Sequence, residues 1–259
     1  MKRALNRAVR TPLLGWSLVA VLLVLWQVWA SLVFMPALPS LDRIAAEWAR
    51  SIWGGGLFQA TAETLRIMAI GFAIATAAGI TLGFLMGRLR LVWAALEPLV
   101  ELLRQTPVSA LLPLLILYLG LGDLMKTVIV IMAATFPILM NTYSGARGVS
   151  QTMRETAETF HLSWWQTQRD VVLPAALPYI VVGMRQGLGL SLILSVVTGM
   201  LAGNSGIGYF ILEAQQSLKI TALFAGIFTV ALVGYLLNWI FLLIERRLLR
   251  WRRLDANTR

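Results

Sequence analysis

Residues 155–178 read ETAETFHLSWWQTQRDVVLPAALP, a polar island set between two long apolar runs. The chain as a whole is 58% hydrophobic and only 13% charged. A helical, charged, tryptophan-bearing segment persists in such a chain where something outside the membrane holds it. The island closes on Leu173-Pro174 and Leu177-Pro178. These two Leu-Pro steps are expected to stop a helix and redirect the chain. The pattern reads as a docking element.

The flanks decide the class. Mean hydropathy is +0.76, far above that of a soluble domain. Several runs reach the roughly 20 apolar residues needed to cross a hydrocarbon core of about 30 Å. Six spans are predicted, near 13–34, 65–86, 102–119, 126–143, 179–201 and 223–244. Of the 22 basic residues, fifteen fall on one side: Lys2, Arg3, Arg7, Arg10, Arg88, Arg90, Arg147, Arg154, Arg169, and the six arginines from Arg246 to Arg259. The positive-inside rule places both termini and the island in the cytoplasm. The net charge of +10 is therefore a topology signal and not a nucleic-acid signature.

The first apolar run exceeds the core of a cleaved signal and lacks a small-x-small end, so it reads as a retained span. The absence of cysteine excludes disulfides and thiolate metal sites and suits a bacterial chain. His161 is the sole histidine, so neither a zinc cluster nor a Ser-His pair can form within one chain. Gly120–Thr127 looks superficially like a phosphate loop. Met125 stands where a glycine must precede the lysine, and no strand leads in. If ATP is used, another subunit binds it.

Small residues recur every fourth position in two spans: Gly71, Ala75, Gly79, Gly83 and Gly87, then Gly183, Gly187, Ser191, Ser195, Gly199 and Gly203. Such rows let helices approach closely. Ser191, Ser195 and Thr198 are also candidates for lining a polar passage. Span three is interrupted by Gln105-Thr106-Pro107. Glu101 and Arg104, three apart, can pair. Pro107 kinks or restarts the helix, and Gln105, Thr106 and Ser109 are either parts of a bent structural helix or solute contacts. On the outer side, Ser40 is expected to cap a short amphipathic helix bearing Leu41, Ile44, Ala45, Trp48 and Ile52, ended by Gly54-Gly55-Gly56. Residues 204–219 form a second outer segment.

The island resembles the EAA loop of binding-protein-dependent ABC importer permeases, with Glu155-Thr156-Ala157 opening it and Val172-Leu173-Pro174 closing it. Further similar stretches are ELLRQTPVSALLPLLILYLGLGDLMK (101–126), FPILMN (136–141), GMRQGLGLS (183–191), GIGY (206–209) and ERRLLRW (245–251). The resemblance spans roughly 60–251 and points to the nitrate, sulfonate and taurine branch. It departs at His161, where the family has a loop glycine, at Thr156 for the middle alanine, and at Gly199 for an acidic residue. His161 is expected to lengthen the first helix of the loop or shift its bend.

What the resemblance implies is an all-α polytopic protein with the type I importer (MetI-like) permease fold. Residues 1–59 would hold the N-terminal tail, first span and outer helix. Residues 60–251 would form the transmembrane core with a coupling loop at 146–178, and 252–259 a cytoplasmic tail. Two permease copies would surround a pathway in the bacterial inner membrane. Two cytoplasmic subunits would bind ATP and Mg, and a periplasmic or lipid-anchored solute-binding protein would deliver substrate. ATPase coupling would fall to Glu155, Thr156, Ala157, Phe160, His161, Trp164, Trp165, Arg169, Leu173 and Pro174. The tryptophans alternatively anchor the membrane interface. The expected substrate is a small organic anion such as a sulfonate or taurine, with nitrate or a heterocyclic vitamin precursor as alternatives. A secondary transporter is the alternative of another class, but it would need an ion-coordinating centre and usually repeats.

Overall fold

The computed structural model describes residues 12–33, 37–54 and 56–250. Lys2, Arg3, Arg7, Arg10, Gly55, Trp251, Arg252, Arg253 and Arg259, and with them the expected tail 252–259, lie outside the described residues. Every regular element among those described is helical: α1 (Pro12–Leu32), α2 (Leu41–Trp53), α3 (Leu57–Arg88), α4 (Arg90–Gln105), a 3₁₀ turn (Val108–Leu111), α5 (Leu112–Leu119), α6 (Asp123–Arg147), α7 (Gln151–Thr159), α8 (Trp164–Ala202), α9 (Ile207–Gln216) and α10 (Ile220–Leu248).

Helices α3, α6, α8 and α10 are each long and apolar enough to cross a membrane. Against the six expected spans, the described residues give four, or five if the helix pair Arg90–Gln105 and Val108–Leu119, bent by 87° at the third, counts as one broken span; the first expected span falls on the shorter apolar helix Trp16–Leu32. The break follows from Pro107, which has no N–H to donate. Thr106 N–H closes α4 on the Leu103 carbonyl at 3.2 Å, and Ala110 N–H restarts the chain on the Pro107 carbonyl at 2.9 Å.

The chain divides into two compact units, 1–58 with 210–229 and 59–209 with 230–259. In the first, the Trp26 indole meets Phe224 edge-on at 5.4 Å and donates to the Pro39 carbonyl at 3.1 Å. Helix α2 buries Ile44 and Ser51, and Trp48 Nε1 donates to Thr229 Oγ1 at 3.0 Å. Ser40 occupies the N-cap position of α2, but its side chain makes no capping bond. Gln27 supplies it instead. Its Oε1 accepts from Leu41 N–H at 2.7 Å, and its Nε2 donates to Asp42 Oδ1 at 3.0 Å. That bond and a second from Ser40 hold the Asp42 carboxyl below its ordinary range.

In the second unit the glycine row of α3 lies along α6. A Cβ on Gly71 would meet Val130 Cγ1 at 2.6 Å, one on Gly79 would meet Ile138 Cγ2 at 2.8 Å, and one on Gly87 would meet Ala146 Cβ at 2.8 Å. A Cβ on Gly83 would strike the Leu139 carbonyl oxygen itself. The constant offset between partners makes α3 and α6 parallel. Helix α8 runs antiparallel on the other flank: a Cβ on Gly183 would lie 2.9 Å from Asn141 Cβ, and one on Gly187 would lie 3.0 Å from Ile138 Cδ1. Ile138, fully buried, is thus held between Gly79 and Gly187. Interfaces of small residues are what drive helix association where no hydrophobic effect acts between helices.

Candidate functional site

The 146–178 segment is built from two helices and a tight turn. Ser150 Oγ caps α7 by accepting from Met153 N–H at 3.3 Å. Glu155 Oε1 accepts from Gln151 Nε2 at 2.7 Å. Thr156, in place of an alanine, donates its hydroxyl to the Thr152 carbonyl at 2.8 Å and so adds no unpaired donor. Ala157 is buried beneath it.

His161 stands in the turn that ends α7. The helix ends at Thr159, and His161 itself adopts the left-handed conformation at φ 52°. Leu162 N–H bonds the Ala157 carbonyl at 3.0 Å and His161 N–H bonds the Glu158 carbonyl at 2.8 Å. These are the two bonds of the helix-ending motif that usually places glycine where His161 stands. The turn's own hydrogen bonds, together with Ser163 beyond it, outweigh the cost of about 1–2 kcal/mol for a left-handed non-glycine residue. Ser163 opens α8 with a reciprocal cap: Gln166 N–H donates to Ser163 Oγ at 3.4 Å, and Ser163 N–H donates to Gln166 Oε1 at 2.8 Å.

The two Leu-Pro steps do not stop the chain. Helix α8 runs from Trp164 through Pro174 and Pro178 to Ala202. The turn before Pro174 widens into a π-helical segment, Thr167–Val172, in which Leu173 N–H reaches back to the Gln168 carbonyl. An extra residue there eases the clash and lost donor that a proline brings to a regular helix. Packing of Val172, Ala176 and Ile180 against Ala146 and Val149 holds that face in place.

Exposed on the segment are Phe160, at 73%, and Trp165, at 75%, with Trp164 at 54%. The two indoles meet edge to face at 5.4 Å. Arg169 is exposed, 4.0 Å from Asp170; Leu173 is exposed and Pro174 half-buried. Between α7 and the start of α8 runs an open groove of about 570 Å³, floored mainly by Met153, Ala157, Phe160, Leu162, Val171 and Ala175.

A second groove, about 460 Å³, opens at the broken span. Thr106 and Ser109 line it, together with Arg104, Asn141 and Gln186. Gln105 is exposed but is not among the lining residues. Ser191, Ser195 and Thr198 do not reach it. All three are buried. Ser191 donates to its own helix at the Gly187 carbonyl, 2.8 Å, Thr198 likewise to Leu194, and Ser195 Oγ has no partner. They lie on the packed face of α8 and are not a lining of this groove. Gly199 packs there too, where a Cβ would sit 3.2 Å from Gly208 Cα.

Asn141, Gln186, Arg88 and Gln168 were not singled out from the sequence. An amide inside an otherwise apolar span was the available signal for the first two. Arg88 and Gln168 meet across the loop, Arg88 Nε donating to Gln168 Oε1 at 2.6 Å. The lysine of the superficial phosphate loop, Lys126, is buried and directs Nζ to the Ser205 carbonyl and hydroxyl at 3.0 and 3.1 Å.

Residues 79–250 match the family model described as "Binding-protein-dependent transport system inner membrane component". The putative aliphatic sulfonates transport permease protein SsuC of Bacillus subtilis (strain 168) is 35% identical over 240 residues, covering 92% of this chain and 87% of that protein. The nitrate import permease protein NrtB of Synechocystis sp. (strain ATCC 27184 / PCC 6803 / Kazusa) is 35% identical over 182 residues, 70% of this chain and 66% of that protein. Among solved structures, the MetNI methionine ABC transporter in inward-facing conformations superposes with a TM-score of 0.64 at 18% identity, over 78% of this chain and 96% of that one.

Proposed function

Because this chain belongs to the binding-protein-dependent transport system inner membrane components, and so is the multi-pass permease of an ABC importer and not its ATPase, we propose that it works as one of a pair of permease copies around a shared pathway. On this reading the 146–178 segment faces the cytoplasm, as do both termini. It seats in a cleft of an ATP-binding partner, one per permease copy, and ATP with Mg is held there. A periplasmic or lipid-anchored binding protein delivers the solute on the other face.

One observation carries the coupling role: three large apolar side chains, Phe160, Trp164 and Trp165, stand exposed on a segment whose backbone is pinned at both ends. Rigid aromatic anchors of this kind dominate protein interfaces. Glu155 and Arg169 add polar contacts that set the docking register. The π segment, bonded to the end of α3 through Arg88, gives movement of the loop a direct route into a membrane span.

The substrate is a small organic oxyanion of the sulfonate type, with nitrate as the alternative. The names of the relatives support this, as does Arg104, the one charged residue among the described residues that line the broken-span groove. Co-expression with the ATP-binding subunit tests the coupling role. Trp164→Ala is expected to leave the membrane fold intact and to weaken ATPase association; an undiminished complex with full transport-coupled hydrolysis would overturn it.

A further inference from the structure

The polar groups of the broken-span groove are arranged in one direction. The Pro137 carbonyl can only accept, so the Asn141 side chain must turn its nitrogen toward it, at 2.8 Å. The second hydrogen of that nitrogen goes to Gln186 Oε1 at 3.1 Å. This fixes the Gln186 amide in turn: its oxygen is occupied, and both hydrogens of Nε2 remain free. Among the described residues neither Gln186 Nε2 nor the Ser109 hydroxyl has a protein acceptor. Arg104 gives one N–H to Glu101 at 2.8 Å, which leaves four of its five donors. Among the described residues no carboxylate lines the groove.

We propose that Gln186 Nε2, Ser109 Oγ and the Arg104 guanidinium form an oxyanion subsite in the membrane-spanning part of the permease, oriented by the Asn141 relay, for the three-oxygen head of an organic sulfonate. This rests on the importer reading and assigns its substrate contacts. The rest of the lining supports an organic tail: Phe136, Met140, Leu190 and Leu194 give the groove an apolar wall, which a bare inorganic anion would not use. Polar side chains in a span are costly unless paired or used. Asn141 is paired. The free donors of Gln186 and Ser109 are the ones left for a ligand.

The chain has no cysteine, so Ser109→Cys creates a single thiol in the groove of the full-length protein. Two thiosulfonate reagents of similar size are compared, one carrying an ethanesulfonate group and one an ethyltrimethylammonium group. Ser217→Cys, outside the groove, supplies their intrinsic rate ratio. The sulfonate reagent is expected to label the groove thiol faster, relative to that ratio, by about tenfold. Free ethanesulfonate should slow the labelling. Adding Gln186→Glu, which replaces the free donors with an anion, should abolish the preference, and Asn141→Asp, which cannot donate to the Pro137 carbonyl, should weaken it. Equal relative rates, or a preference for the cation, would overturn the subsite, and the Ser109→Cys comparison decides this even if the double variants fail to fold. Labelling needs no ATPase or binding protein. Failure of the sulfonate substrate reading, seen as no ATP-driven uptake of ethanesulfonate by the assembled transporter, is therefore a separate result.

Discussion

Arg88 Nε donates to Gln168 Oε1 at 2.6 Å, joining the last residue of α3 to the π segment of α8 across 80 positions of sequence. Gln168 is buried, and its Nε2 has no partner. The pair is the polar link between the 146–178 segment and a membrane span. Gln168→Leu removes the acceptor and should cost about 1–3 kcal/mol, read as a lower unfolding midpoint of the purified protein. Gln168→Glu keeps the acceptor and deletes the orphaned donor, so its midpoint should equal or exceed that of the wild type. If the two variants unfold alike, this bond does not hold the segment.

Glycine packing predicts a graded series. Gly83→Ala sets a Cβ against the Leu139 backbone oxygen, which cannot move without the helix. Gly79→Ala meets the Ile138 side chain first, with the Thr135 carbonyl oxygen farther off at 3.1 Å. Overpacking of this kind costs about 1–3 kcal/mol, with Gly83→Ala the worse of the two. Ile138→Ala, which removes the Cγ2 that the new Cβ meets, should cost less in the Gly79→Ala background than in the wild type and no less in the Gly83→Ala background, as measured by thermal unfolding in detergent.

At position 161 the backbone demands a left-handed residue. His161→Gly should stabilise the turn by roughly 1 kcal/mol or less, because glycine also loses more freedom on folding. His161→Val should destabilise it by more than that gain, since a branched side chain fits this conformation poorly. Hydrogen exchange of Leu162 N–H reports both changes. Equal exchange in the two variants would contradict the left-handed turn.

Asp42 sets a pH dependence. Its carboxyl is held below the ordinary range by the bonds from Gln27 and Ser40. A depressed folded value means the contribution to α2 is complete above the ordinary aspartate range. It fades as pH falls through the lower folded value. The protection of the amides in the first turn of α2, taken relative to their intrinsic exchange rate at each pH, should therefore fall on acidification below about pH 4. Gln27→Leu should move that fall to higher pH. An unchanged profile would show that the Gln27 bond is not what holds the carboxylate.

Much of the fold was legible in the residues. Length and hydropathy located the apolar segments, Pro107 marked the broken span, and the four-residue glycine rows marked close helix contacts. The exposed aromatics of the 155–178 island stood out for the same reason: they interrupt a composition that otherwise follows the bilayer. Local chemistry misled where tertiary contacts outweighed it. Leu173-Pro174 and Leu177-Pro178 read as stops, but packing around Val172, Ala176 and Ile180 carries the helix through them with a π turn. Ser40 read as a cap, but Gln27 reaches across and takes that role. Ser191, Ser195 and Thr198 read as a passage lining, yet all three are buried on the packed face of α8, where Ser191 and Thr198 donate to carbonyls of their own helix.

What the sequence determined by itself is therefore set by composition and short-range periodicity: a polytopic helical chain, the places it bends, and the segment that stays polar. Those follow from solvent preference and backbone chemistry, which each residue carries wherever it sits. The tertiary structure alone decided which faces meet. It set Ile138 between Gly79 and Gly187 and joined Arg88 to Gln168. It also aligned Pro137, Asn141 and Gln186 so that the groove ends in free donors. Such pairings depend on the register between helices distant in sequence, and no local preference encodes that register.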